Sequence, residues 1–577
     1  MAANSALDPA SSCLHAPLRW VPCYEAFLIA LFTLLGAVGI FHHELWRDET
    51  QAWLLARDSP SLLALFQNTH YEGHPLLWHC CLYIISRLSR ALVAMQLFNL
   101  LLAIGTVWLI VKKSPFSLLE RSLLIFGYFT FYEYAMLSRS YGLGVFLAFL
   151  FCTLYCSRPL LRKRQAWLLT ITLGLLANTS ILGLVMSGAL AIALYYRLSI
   201  TAERAVRKSM GAYFFGLAIA WVASAFQILR SLFDSPNISS TNAVVKVASL
   251  GNSAAQTIAQ SIPQPNIPQQ NIAHSAAPIP SAWLENADKL LQIVLKSYLP
   301  LPTFRFHFWN NHLLAQQTLE EQFFYTPLGF LLLLLSAGLV CAVLFLAVYL
   351  LRSAKLFLFV YALGSLSMIA IFIAASIGAT RHYGYLFILF LVCLWLTKWS
   401  QQPFSKLPFQ TVSKAPAEIS SESSARSLAS HWLSLVLIVH MVAGIYAYTS
   451  DLLHPFSASY QTAKIISTQL EPLPILAINQ RPISPISGYI DRQIFYPEAD
   501  KFGSFWDVSY PEITDEAAIA TAIQAFSESY ADFIAVLTLP INNSKPSLSD
   551  LTIQYLTYIG PSIVEDEAFF LYRVSVS

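Results

Sequence analysis

Long uninterrupted apolar runs constrain this chain more than any other feature. Phe330–Leu351 and Phe357–Ile377 are the clearest of them, and each is about 20 residues long, enough for a helix to cross roughly 30 Å of hydrocarbon. Only 12% of the 577 residues are charged, against about 25% in a soluble domain, and the deficit is concentrated in such runs. The fold class that follows is a polytopic α-helical membrane protein. Apolar windows place about eleven spans, near residues 24–42, 91–111, 120–138, 141–157, 165–181, 183–199, 210–230, 327–351, 355–377, 383–399 and 431–449. Residues 75–86 form a further apolar helix that is too short to cross comfortably, so it reads as interfacial or re-entrant.

Charge placement orients these spans. The net charge is only +3, and the cations sit in short clusters between spans, which points to topology signals and away from a nucleic-acid partner. With the N-terminus cytoplasmic, alternate loops carry Lys112, Lys113 and Arg121; Arg158, Arg162, Lys163 and Arg164; Arg197, Arg204, Arg207 and Lys208; Arg352 and Lys355; and Lys398, Lys406, Lys414 and Arg426. The short loops opposite hold isolated cations, notably Arg139 and Arg381. That alternation predicts a multi-pass membrane protein with its N-terminus cytoplasmic and its C-terminal domain extracytoplasmic. Counting 75–86 as a full span would invert every later loop. The residues before Tyr24 lack a strongly basic region, so the first apolar run reads as a retained span. The eight cysteines lie in or near apolar runs or in the N-terminal segment, with no C-x-x-C pair, which predicts neither a disulfide framework nor a cysteine metal site.

Two units emerge: a membrane domain over 1–449 and a soluble α/β extracytoplasmic domain over 450–577. Within the first lie a loop at 43–90 and a longer one at 231–326, whose Gln256–Ser281 stretch is rich in Gln, Pro, Asn and Ala and has no periodicity with which to bury a core. In the tail, strand-like runs at 475–479, 533–539 and 569–576 flank a helix-like segment at 514–530.

Chemistry concentrates in the 43–90 loop. The adjacent acids Asp48 and Glu49 stand just outside the first span between Trp46 and Trp53. One reading is an interfacial turn with solvated charges and an aromatic belt; the other is a general base facing a cavity at the membrane surface. Ser59 and Pro60 suit a helix start, predicting an interfacial helix over about 61–67. Glu72, Gly73, His74 and Pro75 follow, with Gly73 allowing a tight turn and His74 either capping locally or binding substrate. Ser138-Arg139-Ser140-Tyr141 and Thr380-Arg381-His382-Tyr383 lie at span starts on the same face. Their arginines either snorkel to headgroups or bind a ligand phosphate through bidentate geometry and permanent charge. No P-loop, Rossmann glycine pattern, nucleophile elbow or H-E-x-x-H occurs, which argues against nucleotide-driven or familiar hydrolytic chemistry.

In this order, R-D-E-T-Q-A-W at 47–53, E-G-H-P-L-L at 72–77 and S-R-S-Y at 138–141 resemble the GT-C membrane glycosyltransferases, in particular the RgtA/B/C/D-like and protein O-mannosyltransferase-like branch. The likeness covers about the first 200 residues well; beyond them it is a pattern of spans and loops. It implies an inverting transfer of sugar from a polyprenyl-phosphate-linked donor to a lipid, glycan or protein acceptor on the non-cytoplasmic face. Carried onto this sequence, it makes Asp48 the general base, with Glu49 beside it in the catalytic pair and in an orienting part. Arg139 and Arg381 would stabilise the leaving lipid phosphate. Glu72, His74, Tyr141, His382 and Tyr383 would bind substrate. Leu76 stands where the family's motif has a second proline, a departure that implies a less rigid loop. Some relatives need a divalent metal; Asp48, Glu49 and His74 make an incomplete ligand set, so a divalent metal stays open but is not the favoured expectation, and no other cofactor is implied.

Two other functions compete. A transporter or flippase of lipid-linked glycans would carry polar residues deep in its spans and some repeat symmetry, and a scaffold would not need so many spans. Asn237 and Asn542 begin Asn-x-Ser/Thr sites, but such matches arise by chance; the outer segments poor in cysteine and the family likeness lean towards a bacterial cell envelope.

Overall fold

The computed structural model describes residues 20–157, 160–233, 282–314, 327–375, 378–401, 421–470, 472–541, 548 and 550–576. The Gln256–Ser281 stretch, Asn237, Asn542, Arg158, Lys406 and Lys414 lie outside them. Among the described residues eight helices are long and apolar enough to cross a membrane. The other three expected spans are shorter: Ser140–Cys156, Lys163–Ala177, and a stretch broken into Leu118–Ile125 and a π-helical Tyr128–Glu133.

Side-chain partners show that the broken stretch also passes from one face to the other. Glu25, near the start of Trp20–His42, receives Lys112 at 2.8 Å and Arg121 at 2.9 Å. Glu120 receives Lys398 at 2.8 Å. His43, about 25 Å away along the first helix at roughly 1.5 Å per residue, instead meets Asp451 at 2.8 Å. Arg139 and Arg381 both meet Asp48 on that second face. The segment from Glu120 to Arg139 therefore crosses, π-turn included. Among the described cations, Lys112, Arg121 and Lys398 gather at the face opposite Asp48.

The 43–90 loop contains more helix than its sequence suggests. Arg47–Asp58 is a 12-residue helix, followed by Leu62–Asn68 and Leu77–Ser86. Asp48 and Glu49 fall in the first turn of Arg47–Asp58, where carboxylates suit the positive end of the helix dipole. The N-cap of the second helix is Ser61, whose side chain accepts from the Ala64 N–H, and not Ser59; the Ser59 hydroxyl instead accepts from Asn68 at 3.0 Å. Gly73 has φ +66°, a left-handed conformation that side chains with a Cβ resist, and it turns the chain into Leu77–Ser86. Residues 282–298 of the long loop form a helix packed against Thr380–Ser400, with Ile293, Val294 and Leu295 buried.

The tail folds as an α/β unit. Its six-stranded sheet runs β3-β2-β1-β4-β6-β5, where β1 is Ile475–Ala477, β2 Ile494–Tyr496, β3 Lys501–Gly503, β4 Asp532–Leu537, β5 Leu551–Ile559 and β6 Phe569–Val576. β1 is parallel to β2 and β4; the other pairs are antiparallel. Along β4 the period of two sends Ile534 and Val536 to a core with helices Ser459–Gln469 and Gln480–Ile490, and Phe533, Ala535 and Leu537 to one with Glu516–Ser527. Burial on both faces is why β1 and β4 read as continuous apolar runs.

This unit is fastened to the Arg47–Asp58 helix along its length. The Arg47 N–H donates to Glu567 at 3.0 Å and its guanidinium meets Asp566 at 2.5 Å. Gln51 exchanges two hydrogen bonds with the Trp506 backbone, at 2.8 and 3.1 Å. The Ser504 hydroxyl donates to Asp58 at 2.6 Å, and Arg57 meets Asp491 at 3.0 Å. Helix Gln480–Ile490 packs directly on it. The interfacial helix is thus held between membrane spans and sheet domain.

Candidate active site at the membrane face

Asp48 is the centre of the site. Its Oδ2 lies 3.1 Å from Arg381 and 3.3 Å from Arg139, and the Arg139 guanidinium also donates to the Asp48 carbonyl. All three side chains are mostly but not fully covered, at 13–15% exposure, so the cluster borders an accessible space. Burial opposes ionisation of Asp48, but Arg139, then Arg381, Arg47 and Arg481, outweigh it and bring its pKa down to about 2. Arg381 lies 5.4 Å over Trp46 and 5.6 Å over Trp309, whose rings meet edge to face at 4.7 Å. This aromatic seat fixes the guanidinium while leaving its edge free to donate.

Glu49 does something different. Its side chain is fully buried; Oε2 lies 2.9 Å from His43 and Oε1 accepts the Ser138 N–H at 2.5 Å. His43 has its other ring nitrogen 2.8 Å from Asp451. With a carboxylate on each nitrogen, both nitrogens must carry protons to donate. Burial works against the imidazolium, but Asp451 and Glu49 outweigh it and hold its pKa well above the ordinary histidine value. The structure therefore places Glu49 in a packed His43–Asp451 network that positions the Asp48 and Arg139 backbones.

Around Tyr141 the remaining candidates converge. His74 and His382 meet its ring edge-on, at 6.2 and 5.4 Å. His74 has its pKa lowered to about 4 by burial and by Arg139 and Arg381, so it is neutral near pH 7, and its Nδ1 and that of His382 are buried without a hydrogen-bond partner among the described residues. Glu72 accepts from Gln51 at 3.2 Å, and burial raises its pKa to about 7. Gly142 fits because an added Cβ would come within 2.8 Å of the Asn99 side chain and the Tyr134 carbonyl. Tyr383 is placed elsewhere: it packs on Phe372, 5.0 Å between ring centres, in the apolar core.

Residues not singled out from sequence also reach the site. Gln51 and Tyr71 bind the Trp506 carbonyl, the latter at 2.6 Å. Trp309, from the long loop, donates to buried Glu133 at 3.3 Å. A lone acid inside an apolar window was the available signal for Glu133; nothing local marks Trp309, Arg481 or Trp506. For a divalent ion the donors do not fit. Asp48 is engaged by two arginines and Glu49 by His43 and Ser138. Among the described residues no group of three or more His, Cys, Asp or Glu is arranged to hold a metal.

No family model matches the chain, and no curated protein matches it. Among solved structures, ArnT from Cupriavidus metallidurans in the apo state aligns over 96% of this chain and 98% of that one, with 11% identity and a TM-score of 0.45. The same protein bound to undecaprenyl phosphate aligns over 97% and 98%, with 11% identity and a TM-score of 0.44. Arabinofuranosyltransferase AftD from Mycobacteria is 12% identical over 97% of this chain and 40% of its own, with a TM-score of 0.37.

Proposed function

We propose that this chain is an inverting membrane glycosyltransferase that moves a sugar from a polyprenyl-phosphate-linked donor to a hydroxyl of a lipid, glycan or protein acceptor. The observation that carries this reading is one carboxylate, Asp48, held by two arginines from separate membrane segments at the edge of the bilayer. The order of the sequence motifs around those three residues supports it.

In this reading the donor phosphate enters between Arg139 and Arg381. The aromatic seat of Arg381 orients its planar edge, and both cations stabilise the charge that grows as the sugar–phosphate bond breaks. An anion there shares the field that depresses Asp48, so its carboxylate becomes more basic when the donor is bound. Asp48 then takes the acceptor hydroxyl proton as that oxygen attacks the anomeric carbon, a role worth about 10²–10⁴-fold. Neutral His74 and, beside it, His382, each with Nδ1 buried without a hydrogen-bond partner among the described residues, are suited to hydrogen-bond sugar hydroxyls. A cavity of about 670 Å³, lined by Leu76, Leu77, Trp167, Gly174 and Phe226, begins two residues from His74 and suits the isoprenoid tail.

The cations gathered at the opposite face support a cytoplasmic assignment for that side, leaving Asp48 and the sheet domain outside, in the plasma membrane. The flippase reading is weaker because the titratable residues of the site cluster at one face instead of lining a path between faces.

Turnover of lipid-linked sugar by the purified protein in nanodiscs tests the proposal. Asp48→Asn should lower kcat by about 10²-fold or more while donor lipid still binds. Wild-type turnover in Asp48→Asn would remove Asp48 as the base.

A further inference from the structure

We propose that Arg481 and Trp506, both from the sheet domain, form a second oxyanion subsite beside Asp48 that takes a phosphate or carboxylate carried by the acceptor. This rests on the reading of Arg139 and Arg381 as the donor-phosphate site.

The subsite is placed by the docking of the sheet domain. Gln51, one helical turn beyond Asp48, is tied to the Trp506 backbone at both ends of its amide, and the Arg481 guanidinium lies 5.5 Å over the Trp506 ring. Arg481 thereby joins the cations whose field acts on Asp48. Its partners are what distinguish it. Arg47 is matched by Asp566 and Glu567, Arg57 and Arg90 by Asp58 and Asp491, and Arg139 and Arg381 by Asp48. Arg481 forms no ion pair among the described residues, and its Nε is buried without a hydrogen-bond partner. Glu498 accepts the Gln480 N–H at 2.5 Å and Asp507 the Ser509 N–H at 2.8 Å, and neither forms an ion pair with Arg481.

An unmatched cation with an unsatisfied donor is costly unless something satisfies it. Asp48 and the single negative charge of a sugar-linked lipid phosphodiester answer Arg139 and Arg381, which leaves Arg481 for a second anion. The second anion belongs to the acceptor because Arg481 enters from the sheet domain, whereas Arg139 and Arg381 stand at the ends of membrane segments where a lipid phosphate resides. Trp506 leaves the guanidinium edge open for bidentate contact with an oxyanion.

The test uses the full chain in nanodiscs of zwitterionic lipid. Ligand-observed NMR follows glucose 6-phosphate, glucuronate and neutral glucose; a separate titration follows undecaprenyl phosphate. Wild type should bind at least one acidic sugar more tightly than glucose, and comparing the two identifies phosphate or carboxylate. Arg481→Gln should weaken that binding about tenfold, the loss of roughly one charge-assisted hydrogen bond, with undecaprenyl phosphate changed by less than about twofold. Arg381→Gln should show the reverse pattern. Unchanged acidic-sugar binding in Arg481→Gln, or an equal loss of undecaprenyl phosphate, overturns the subsite. Wild type that fails to bind undecaprenyl phosphate at all counts against the donor site instead. Arg481→Lys keeps the charge without the planar fork and should fall between wild type and Arg481→Gln.

Discussion

The Ser138 backbone N–H donates to Glu49 Oε1 at 2.5 Å, so the acid beside Asp48 holds the turn that presents Arg139. One buried carboxylate therefore positions both Asp48 and Arg139, the proposed base and the proposed phosphate ligand. Glu49→Ala leaves both the Ser138 N–H and His43 without this partner, a change that costs about 3–5 kcal/mol when a buried pair is broken. The expected result is a lower melting temperature and weaker donor binding together. Glu49→Gln, which keeps an acceptor for Ser138, should retain more of both. Wild-type donor affinity in Glu49→Ala would show that the turn is placed by other contacts.

His43 bridges Glu49 and Asp451 and joins the first membrane helix to the last. His43→Ala leaves two buried carboxylates without their shared cation, again about 3–5 kcal/mol. A folded His43 whose pKa is raised stabilises fully below the unfolded value of about 6.5 and loses that contribution as pH rises through its folded value. Wild type should therefore lose thermal stability on the alkaline side, and His43→Ala should lose less there. Equal alkaline losses in both proteins would refute this.

The pH–rate profile separates Asp48 from Glu72 as the base. Asp48 is held down to about 2 and Glu72 up to about 7. A free-enzyme limb set by Asp48 lies far into acid, so kcat/KM stays flat through neutrality. If Glu72 were the base, kcat/KM would climb through about pH 7, and Glu72→Gln would abolish the limb. The flat profile is the expected one, and stopped-time assays across the acid-to-neutral range would measure it.

Stability follows the same two carboxylates with opposite sign. The Asp48 contribution is present above its unfolded pKa of about 3.9 and is lost as pH falls towards about 2. The fold disfavours ionised Glu72, so its penalty grows as pH rises from about 4.3 to about 7. Glu72→Gln should therefore raise the melting temperature at alkaline pH and leave it unchanged in acid. A gain of equal size at both ends would mean that packing, not charge, is responsible.

Arg381→Lys tests the aromatic seat. Lysine keeps the charge but loses the planar contact over Trp46 and Trp309 and the two-pronged edge, so donor binding should weaken about tenfold. Equal affinity would reduce the role of Arg381 to bulk charge.

The sequence by itself determined the membrane architecture and the side on which the polar residues gather. Apolar length and alternating charge are local signals, because a backbone in lipid must satisfy its own hydrogen bonds in helices. It also marked Asp48, His74, Arg139 and Arg381, which stand in short polar motifs against an apolar background. The resemblance made Asp48 the base and gave Glu49 an orienting part, but adjacent helical residues point about 100° apart, and only the packed structure shows that His43 and Ser138 engage Glu49. The sequence placed Tyr383 with His382, although one helical step turns Tyr383 onto Phe372. Only tertiary structure brought in Gln51, Trp309, Arg481 and Trp506, because their part in the site depends on contacts between residues hundreds of positions apart. The sheet domain, whose sequence carries no catalytic signature, closes the site because its helix 480–490 and Trp506 dock on the helix that bears Asp48.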